Sequence, residues 1–158
     1  MSLLADPIEL CSDPDAAGFS ASSCRRPVLL VVEDSPRLSA ALGELGGFLR
    51  VAVERVRRPG DLPRLLRERN PMAVLAELDG VAQDGCHVMM RVAEHDPALP
   101  MLLLTGPDAA LTGAAEAVRE LWALSAVELS PGLPRIGALA EFLCRAGRSG
   151  GCLGLLAA

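Results

Sequence analysis

The sequence has no tyrosine, three phenylalanines and one tryptophan, so aromatic side chains are scarce. Proteins that bind single-stranded nucleic acid stack bases on exposed aromatic rings. The formal net charge of -5 also gives the chain no basic excess with which to attract phosphates. We therefore expect no nucleic-acid binding by this domain.

The five cysteines form no CxxC pair and no Cys/His cluster with the spacing of metal ligands. Their odd number, without a basic and apolar leader at the N-terminus, indicates reduced thiols. No apolar run reaches the length of a membrane span. These absences predict a cytoplasmic protein that does not enter a membrane.

The composition that remains is that of a globular protein, with 158 residues of which 51% are hydrophobic. Residues 1–26 mix Ser, Ala, Asp and Pro without periodicity, and we expect them to form a flexible extension. Residues 27–147 alternate between strand and helix patterns and form the predicted domain. Residues 148–158 form a Gly-rich tail, or the start of a linker if the natural chain continues.

The domain is predicted to alternate five strands with five helices. This order is typical of a three-layer, doubly wound (βα)5 sandwich with a parallel five-stranded sheet and right-handed crossovers. The predicted strands are 27–32, 49–56, 72–78, 101–105 and 125–129, and the predicted helices are about 36–46, 61–70, 86–95, 109–122 and 135–147.

Polar side chains follow several of the predicted strands. In doubly wound sheets, functional groups lie at the carboxyl ends of the strands. The pattern therefore predicts a site at that edge, formed by Glu33, Asp34, Glu77, Thr105 and Ser130.

Glu33 and Asp34 are adjacent carboxylates at the end of the apolar run VLLVV, where their like charges repel. We expect Asp34 and Ser35 to cap the first helix, with Pro36 in its first turn. A cap does not explain why Glu33 ends a buried strand. The pair is interpreted as a working or vestigial cation site.

Four segments, VVEDSPR, ELDGVAQDG, LLLTG and AVELSP, together resemble the receiver domain of two-component response regulators. The resemblance covers residues 27–147 and implies a flavodoxin-like fold. It also implies the family's chemistry, in which a third-strand aspartate accepts a phosphoryl group from a histidine kinase. An acidic pair holds Mg²⁺, and a Thr or Ser and a Lys bind the phosphate oxygens.

The sequence departs from that family at three positions. Glu77 stands at the phosphoacceptor position where the family has Asp, and Ser130 stands where it has Lys before Pro. Val127 stands where the family has an aromatic switch residue. Thr105 and Ser130 are the equivalents of the phosphate-binding residues, or else strand-end hydroxyls that bond to nearby backbone.

The resemblance assigns Glu33, Asp34 and Glu77 to the metal position. Without the lysine these three carboxylates crowd together unless a cation binds or one of them is protonated. Arg37 is close in sequence and is a candidate for a substitute charge. No cofactor is required on this interpretation, and weak Mg²⁺ binding stays open.

We interpret the chain as a degenerate receiver, or pseudo-receiver, without catalytic residues, that signals through a protein partner and without phosphorylation. The resemblance also implies homodimerisation through the fourth helix, fifth strand and fifth helix, a surface that includes Trp122 and residues 135–143. Two alternatives remain. In the first, the chain is a receiver that is still phosphorylated by a histidine kinase or a small phosphodonor. In the second, it is the regulatory fragment of a longer transcription factor or signalling enzyme.

Overall fold

The computed structural model of the chain describes residues 26–80 and 84–149. The predicted extension, apart from Arg26, and the tail beyond Ser149 lie outside the described residues. The strands are β1 (Val28–Val32), β2 (Ala52–Val56), β3 (Ala73–Glu77), β4 (Met101–Leu104) and β5 (Val127–Ser130). The helices are α1 (Arg37–Phe48), α2 (Leu62–Arg69), α3 (Gly85–His95), α4 (Ala109–Leu121) and α5 (Ile136–Ser149), with a short 3-10 turn at Pro59–Asp61 before α2.

The strands form one parallel sheet in the order β2-β1-β3-β4-β5. Alternate residues of each central strand face opposite sides, because side chains alternate along a strand. One face packs against α1 and α5, and the other packs against α2, α3 and α4. The predicted three-layer (βα)5 sandwich is confirmed.

The sheet is buried at its centre and more open at its edges. Residues 73–76 of β3 are fully buried, whereas most residues of β2 and β5 are partly or fully exposed. A strand that is buried on both faces needs apolar residues throughout, as the run AVLA provides. Polar groups of the central strands are therefore confined to the strand ends.

The start of β2 differs from the prediction. The segment 49–56 was expected to be one strand, but α1 continues to Phe48 and the Leu49 amide still donates to the Leu45 carbonyl at 2.9 Å. Arg50 then reverses the chain in a left-handed conformation, with φ of 55°. The alternating pattern of LRVAV is misleading here, because its first leucine belongs to the end of the helix.

Gly46 explains why α1 passes the point where a helix end was expected. A Cβ atom at this position would lie 2.7 Å from a methyl group of Val53 and 2.8 Å from the carbonyl oxygen of Val51. Glycine is therefore needed for close packing of the helix against β2, and not as a helix terminator. This contact holds α1 next to the edge strand.

Candidate functional site

The predicted site residues all lie at the carboxyl edge of the sheet. Glu33 and Asp34 follow β1, and Glu77 and Ser130 are the last residues of β3 and β5. Thr105 follows β4, and its amide donates to the Ser130 carbonyl at 2.8 Å. The β1–β2 corner is the name we give to the end of β1 together with the first turn of α1 and Arg55. The β4–β5 corner consists of Thr105, Gly106 and the turn 130–132.

Glu33 is the buried centre of the β1–β2 corner, with 2% of its surface exposed. Its carboxylate accepts hydrogen bonds from the amide of Leu38 at 2.6 Å and the amide of Ser39 at 3.0 Å. These amides belong to the second and third residues of α1, whose donors have no partner within the helix. Glu33 therefore performs the role of an N-terminal cap from four residues before the helix.

The predicted cap by Asp34 and Ser35 is corrected by this geometry. Pro36 occupies the N-cap position and no side chain of the cap residue makes a hydrogen bond to the helix. The longer glutamate reaches the free amides from the strand end. A carboxylate there also interacts favourably with the positive end of the helix dipole.

Arg55 supplies the positive charge of this corner. Its Nε atom lies 3.7 Å from Oε1 of Glu33, and its Nη2 atom donates to the carbonyl oxygens of Glu33 at 3.4 Å and Asp34 at 2.5 Å. Strand pairing explains the approach, because Arg55 of β2 is the register partner of Val31 in β1. Sequence reasoning missed this residue and considered Arg37.

Glu77 ends β3 partly buried and surrounded by negative charge. Loss of hydration raises the pKa of its carboxyl above the ordinary value, and Glu33, Asp79 and Asp34 raise this pKa further. Arg37 acts in the opposite direction and lowers the pKa of Glu77, with the smallest effect among these causes. Arg37 thus acts on the third-strand carboxylate only through its charge, while Arg55 forms an ion pair with Glu33.

α3 begins at the pair Asp84-Gly85. Asp84 is the N-cap residue, and its carboxylate accepts a hydrogen bond from the Cys86 amide at 2.9 Å. A Cβ atom at Gly85 would lie 2.6 Å from the Cα atom of Leu78, so the helix packs directly on the backbone that follows β3. This contact fixes the segment that carries Glu77.

Both hydroxyls of the β4–β5 corner bond to nearby backbone. Thr105 is buried and its hydroxyl donates to the carbonyls of Gly106 and Ser130, each at 3.3 Å. The Ser130 hydroxyl donates to the Gly132 carbonyl at 2.6 Å. Local hydrogen bonds therefore account for both hydroxyls in this conformation.

The residues at the metal position do not fit a three-carboxylate Mg²⁺ site in this arrangement. Both carboxylate oxygens of Glu33 accept amide hydrogen bonds, and the Arg55 guanidinium lies beside them. Within residues 26–80 and 84–149, no three His, Cys, Asp or Glu side chains are grouped to hold a metal ion. The assignment of a metal to Glu33, Asp34 and Glu77 stays a prediction.

Comparison with solved structures shows that the fold is similar to that of receiver domains. The signal receiver domain of an HD domain-containing protein from Pseudomonas fluorescens superposes with a TM-score of 0.63 at 23% identity, covering 79% of this chain and 97% of that one. The chain has the receiver fold. A response regulator receiver domain protein from Clostridium thermocellum gives a TM-score of 0.63 at 16% identity, covering 80% of this chain and 98% of that one.

The non-phosphorylated receiver domain of HemR from Leptospira biflexa gives a TM-score of 0.59 at 25% identity, covering 76% of this chain and 93% of that one. No family model matches the sequence, and no curated protein matches it. The similarity is therefore carried by the fold. None of the helices in the described part of the chain is both long and apolar enough to cross a membrane.

Proposed function

We propose that this chain is a receiver-like module of two-component signalling that acts through protein contacts and without aspartyl phosphorylation. The observation that carries the proposal is the environment of Ser130. The resemblance implies a lysine at this position, but here a neutral hydroxyl ends β5 and is bonded to the carbonyl of Gly132. A transferred phosphoryl group needs positive charge to offset its oxygens, and this corner supplies none from that residue.

The third-strand carboxylate supports the same proposal. Glutamate is one methylene longer than aspartate, and a displacement of about 1 Å in a positioned reaction costs roughly a hundredfold in rate. Glu77 also lies among acidic neighbours that raise its pKa, which disfavours a further negative group there. The sequence contains no lysine, so no other lysine of this chain replaces the missing one.

Exposed apolar side chains on α4 and at the start of α5 support a role in protein contacts. Leu121 is 81% exposed and Ile136 is 72% exposed, and Trp122 and Leu133 are also exposed. Large apolar side chains that stay in water are candidates for burial in an interface. Leu121 and Trp122 lie at the end of α4, and Leu133 and Ile136 lie around the start of α5; we propose that α4, β5 and α5 take part in homodimerisation or in binding of a signalling partner.

Phosphorylation is tested by incubating the chain with acetyl phosphate and MgCl2 and measuring its intact mass. We expect no mass increase. A gain of one phosphoryl group that hydroxylamine removes would overturn the proposal, because hydroxylamine cleaves acyl phosphates. It would favour the alternative of a receiver with an unusual acceptor.

The double variant Glu77→Asp with Ser130→Lys is the matched positive control. It restores the residue types that the resemblance implies at both positions, and in combination with Arg55→Met, which removes the guanidinium beside the acidic pair, we expect a measurable acyl phosphate. If neither this variant nor the parent chain is modified, the presence of Glu77 and Ser130 is not the reason that the parent chain is not phosphorylated. That result would overturn our explanation of the Ser130 corner.

The dimer surface is tested by light scattering coupled to gel filtration at several protein concentrations. Ile136→Glu places a charge in the proposed interface and is expected to shift the chain towards the monomer. Phe48→Glu is the control, since Phe48 is 86% exposed but lies at the end of α1. A monomeric parent chain, or equal effects of the two variants, would contradict homodimerisation through this surface.

A further inference from the structure

The β1–β2 corner contains an oxygen cluster of the kind that proteins commonly use to bind a cation. It consists of the Glu33 carboxylate and the main-chain carbonyl oxygens of Glu33 and Asp34. All three approach one guanidinium group, that of Arg55. The positive charge is thus supplied by the chain itself, from the neighbouring strand.

We propose that Arg55 replaces a bound divalent cation at this corner, so that the conformation of the segment between β1 and α1 is independent of Mg²⁺. The inference goes beyond the proposed function because it concerns how this segment is held. Either can fail without the other, since one is measured by phosphorylation and the other by cation dependence of folding.

The position of Arg55 suits a permanent role. Its side chain is 24% exposed, and arginine presents its donors in a planar, forked group. Its planar group reaches two successive carbonyls through one nitrogen while the Nε edge faces Glu33. An arginine that is tied to backbone oxygens loses little further freedom when it contacts a carboxylate.

The hydrogen bonds from the α1 amides to Glu33 make it unfavourable for a metal ion to take the place of Arg55. Mg²⁺ requires oxygen ligands at about 2.0–2.1 Å in near-octahedral geometry. Glu33 would have to leave the amides of Leu38 and Ser39, which it accepts at 2.6 Å and 3.0 Å, to provide such a ligand. Those buried donors would then lack an acceptor, which is costly.

The contact between the Nε atom of Arg55 and Glu33 is an ion pair and not a hydrogen bond. The Nε atom is buried and has no hydrogen-bond partner, although Oε1 of Glu33 lies only 3.7 Å away. A buried polar atom without a partner is uncommon, and here its nearest ion-pair partner is the carboxylate of the corner. The guanidinium is therefore held in place by charge and by the two carbonyls.

The test compares thermal unfolding in EDTA and in millimolar MgCl2 at matched ionic strength. We expect the parent chain to show the same midpoint in both. Arg55→Met is expected to lower the midpoint by roughly 5 °C in EDTA. MgCl2 is expected to restore at most part of this loss, because a cation can approach the carbonyl oxygens of Glu33 and Asp34 that the guanidinium leaves, while the Glu33 carboxylate stays bonded to the α1 amides.

Arg69→Met is the matched control, since Arg69 of α2 makes a more exposed ion pair, at 2.9 Å, with Glu54, which lies next to Arg55 in β2. We expect a small loss that MgCl2 does not restore. Amide hydrogen exchange at Leu38 and Ser39 gives a second readout, with faster exchange in Arg55→Met and no effect of Mg²⁺ in the parent chain.

Arg55→Lys keeps the experiment informative if Arg55→Met does not fold. It retains the charge without the forked geometry, so we expect an intermediate midpoint and weak sensitivity to Mg²⁺. Stabilisation of the parent chain by MgCl2 as strong as that of either variant would overturn the proposal. So would Mg²⁺-dependent protection of the Leu38 and Ser39 amides in the parent chain.

Discussion

The β1–β2 corner and the β4–β5 corner lie at the same edge of the sheet but balance their polar groups differently. The first keeps a buried carboxylate and satisfies it with two helix amides and an arginine. The second has only hydroxyls, each bonded to a nearby carbonyl. Charge is thus compensated between neighbouring strands at one side of the edge, and the other side needs no counterion.

The largest effect is expected from a substitution that disrupts the β1–β2 corner. Glu33→Ala removes the acceptor of two helix amides and leaves Arg55 without its carboxylate, so we expect a loss of about 2–4 kcal/mol in the free energy of unfolding. Urea denaturation measures it. Glu128→Ala, which breaks an exposed pair with Arg145, should lose about 0–1 kcal/mol. Similar losses in the two variants would contradict the assigned role of Glu33.

A smaller loss is expected where α1 packs against β2. Gly46→Ala places a methyl group within 2.8 Å of the Val51 carbonyl, and overpacking of this kind costs about 1–3 kcal/mol. Gly43→Ala is the matched control on the same helix, where a Cβ atom meets nothing within 4 Å. It should gain up to about 1 kcal/mol, because alanine favours the helix. Urea denaturation that finds the same sign for both would refute the close contact.

The β4–β5 corner should be less sensitive. Thr105→Val keeps the shape of the side chain and removes one hydroxyl proton, which is shared between two carbonyls that each lie at 3.3 Å, so we expect a loss of at most about 1 kcal/mol. Thr112→Val removes a surface hydroxyl bond to the Asp108 carbonyl and provides the reference by the same denaturation assay. A loss for Thr105→Val as large as that for Glu33→Ala would remove the contrast between the corners.

The smallest effect concerns Glu77 and depends on pH. Because its pKa is raised, the folded chain binds this proton more tightly than the unfolded chain. Stability is therefore lost as pH rises from the ordinary pKa through the raised one. Glu77→Gln should have a slightly higher melting temperature than the parent at neutral pH in EDTA. This difference in melting temperature should shrink as the pH falls towards the ordinary pKa of a glutamate.

Glu44→Gln, on the exposed side of α1, shows what removal of one surface charge does by itself. A gain for Glu77→Gln that grows on acidification would contradict the direction of the pKa shift. Melting curves over a pH series give both comparisons.

The apolar strand runs predicted the fold well, because central strands that are buried on both faces leave a strong local signal, whereas the predicted cap of α1 by Asp34 and Ser35 was wrong. The segments VLLVV and MLLL are examples of such strands. The start of β2 was not predictable from local pattern, since Leu49 continues the helix and the turn depends on Arg50. The need for Gly46 arises from contact with another element.

The sequence predicted which strand ends carry the site residues, but it did not predict which residues bond to one another there. The position of Glu33 was predicted, but its partner Arg55 is separated by 22 residues and reaches it through strand pairing. One signal was available. An arginine inside the run AVERV, on a strand that neighbours an acidic strand end, is a candidate counterion, and local reasoning instead considered Arg37.

The contact of Arg55 with the end of β1 also selects the alignment of the edge strand. In the observed register Arg55 lies beside Val31, and neighbouring residues of parallel strands point to the same face. A slip by one residue would bring Glu54 or Val56 to that place. The first would set two carboxylates against each other below α1, and the second would leave Glu33 without a counterion. The arginine therefore favours the observed register of β2 over a slip by one residue.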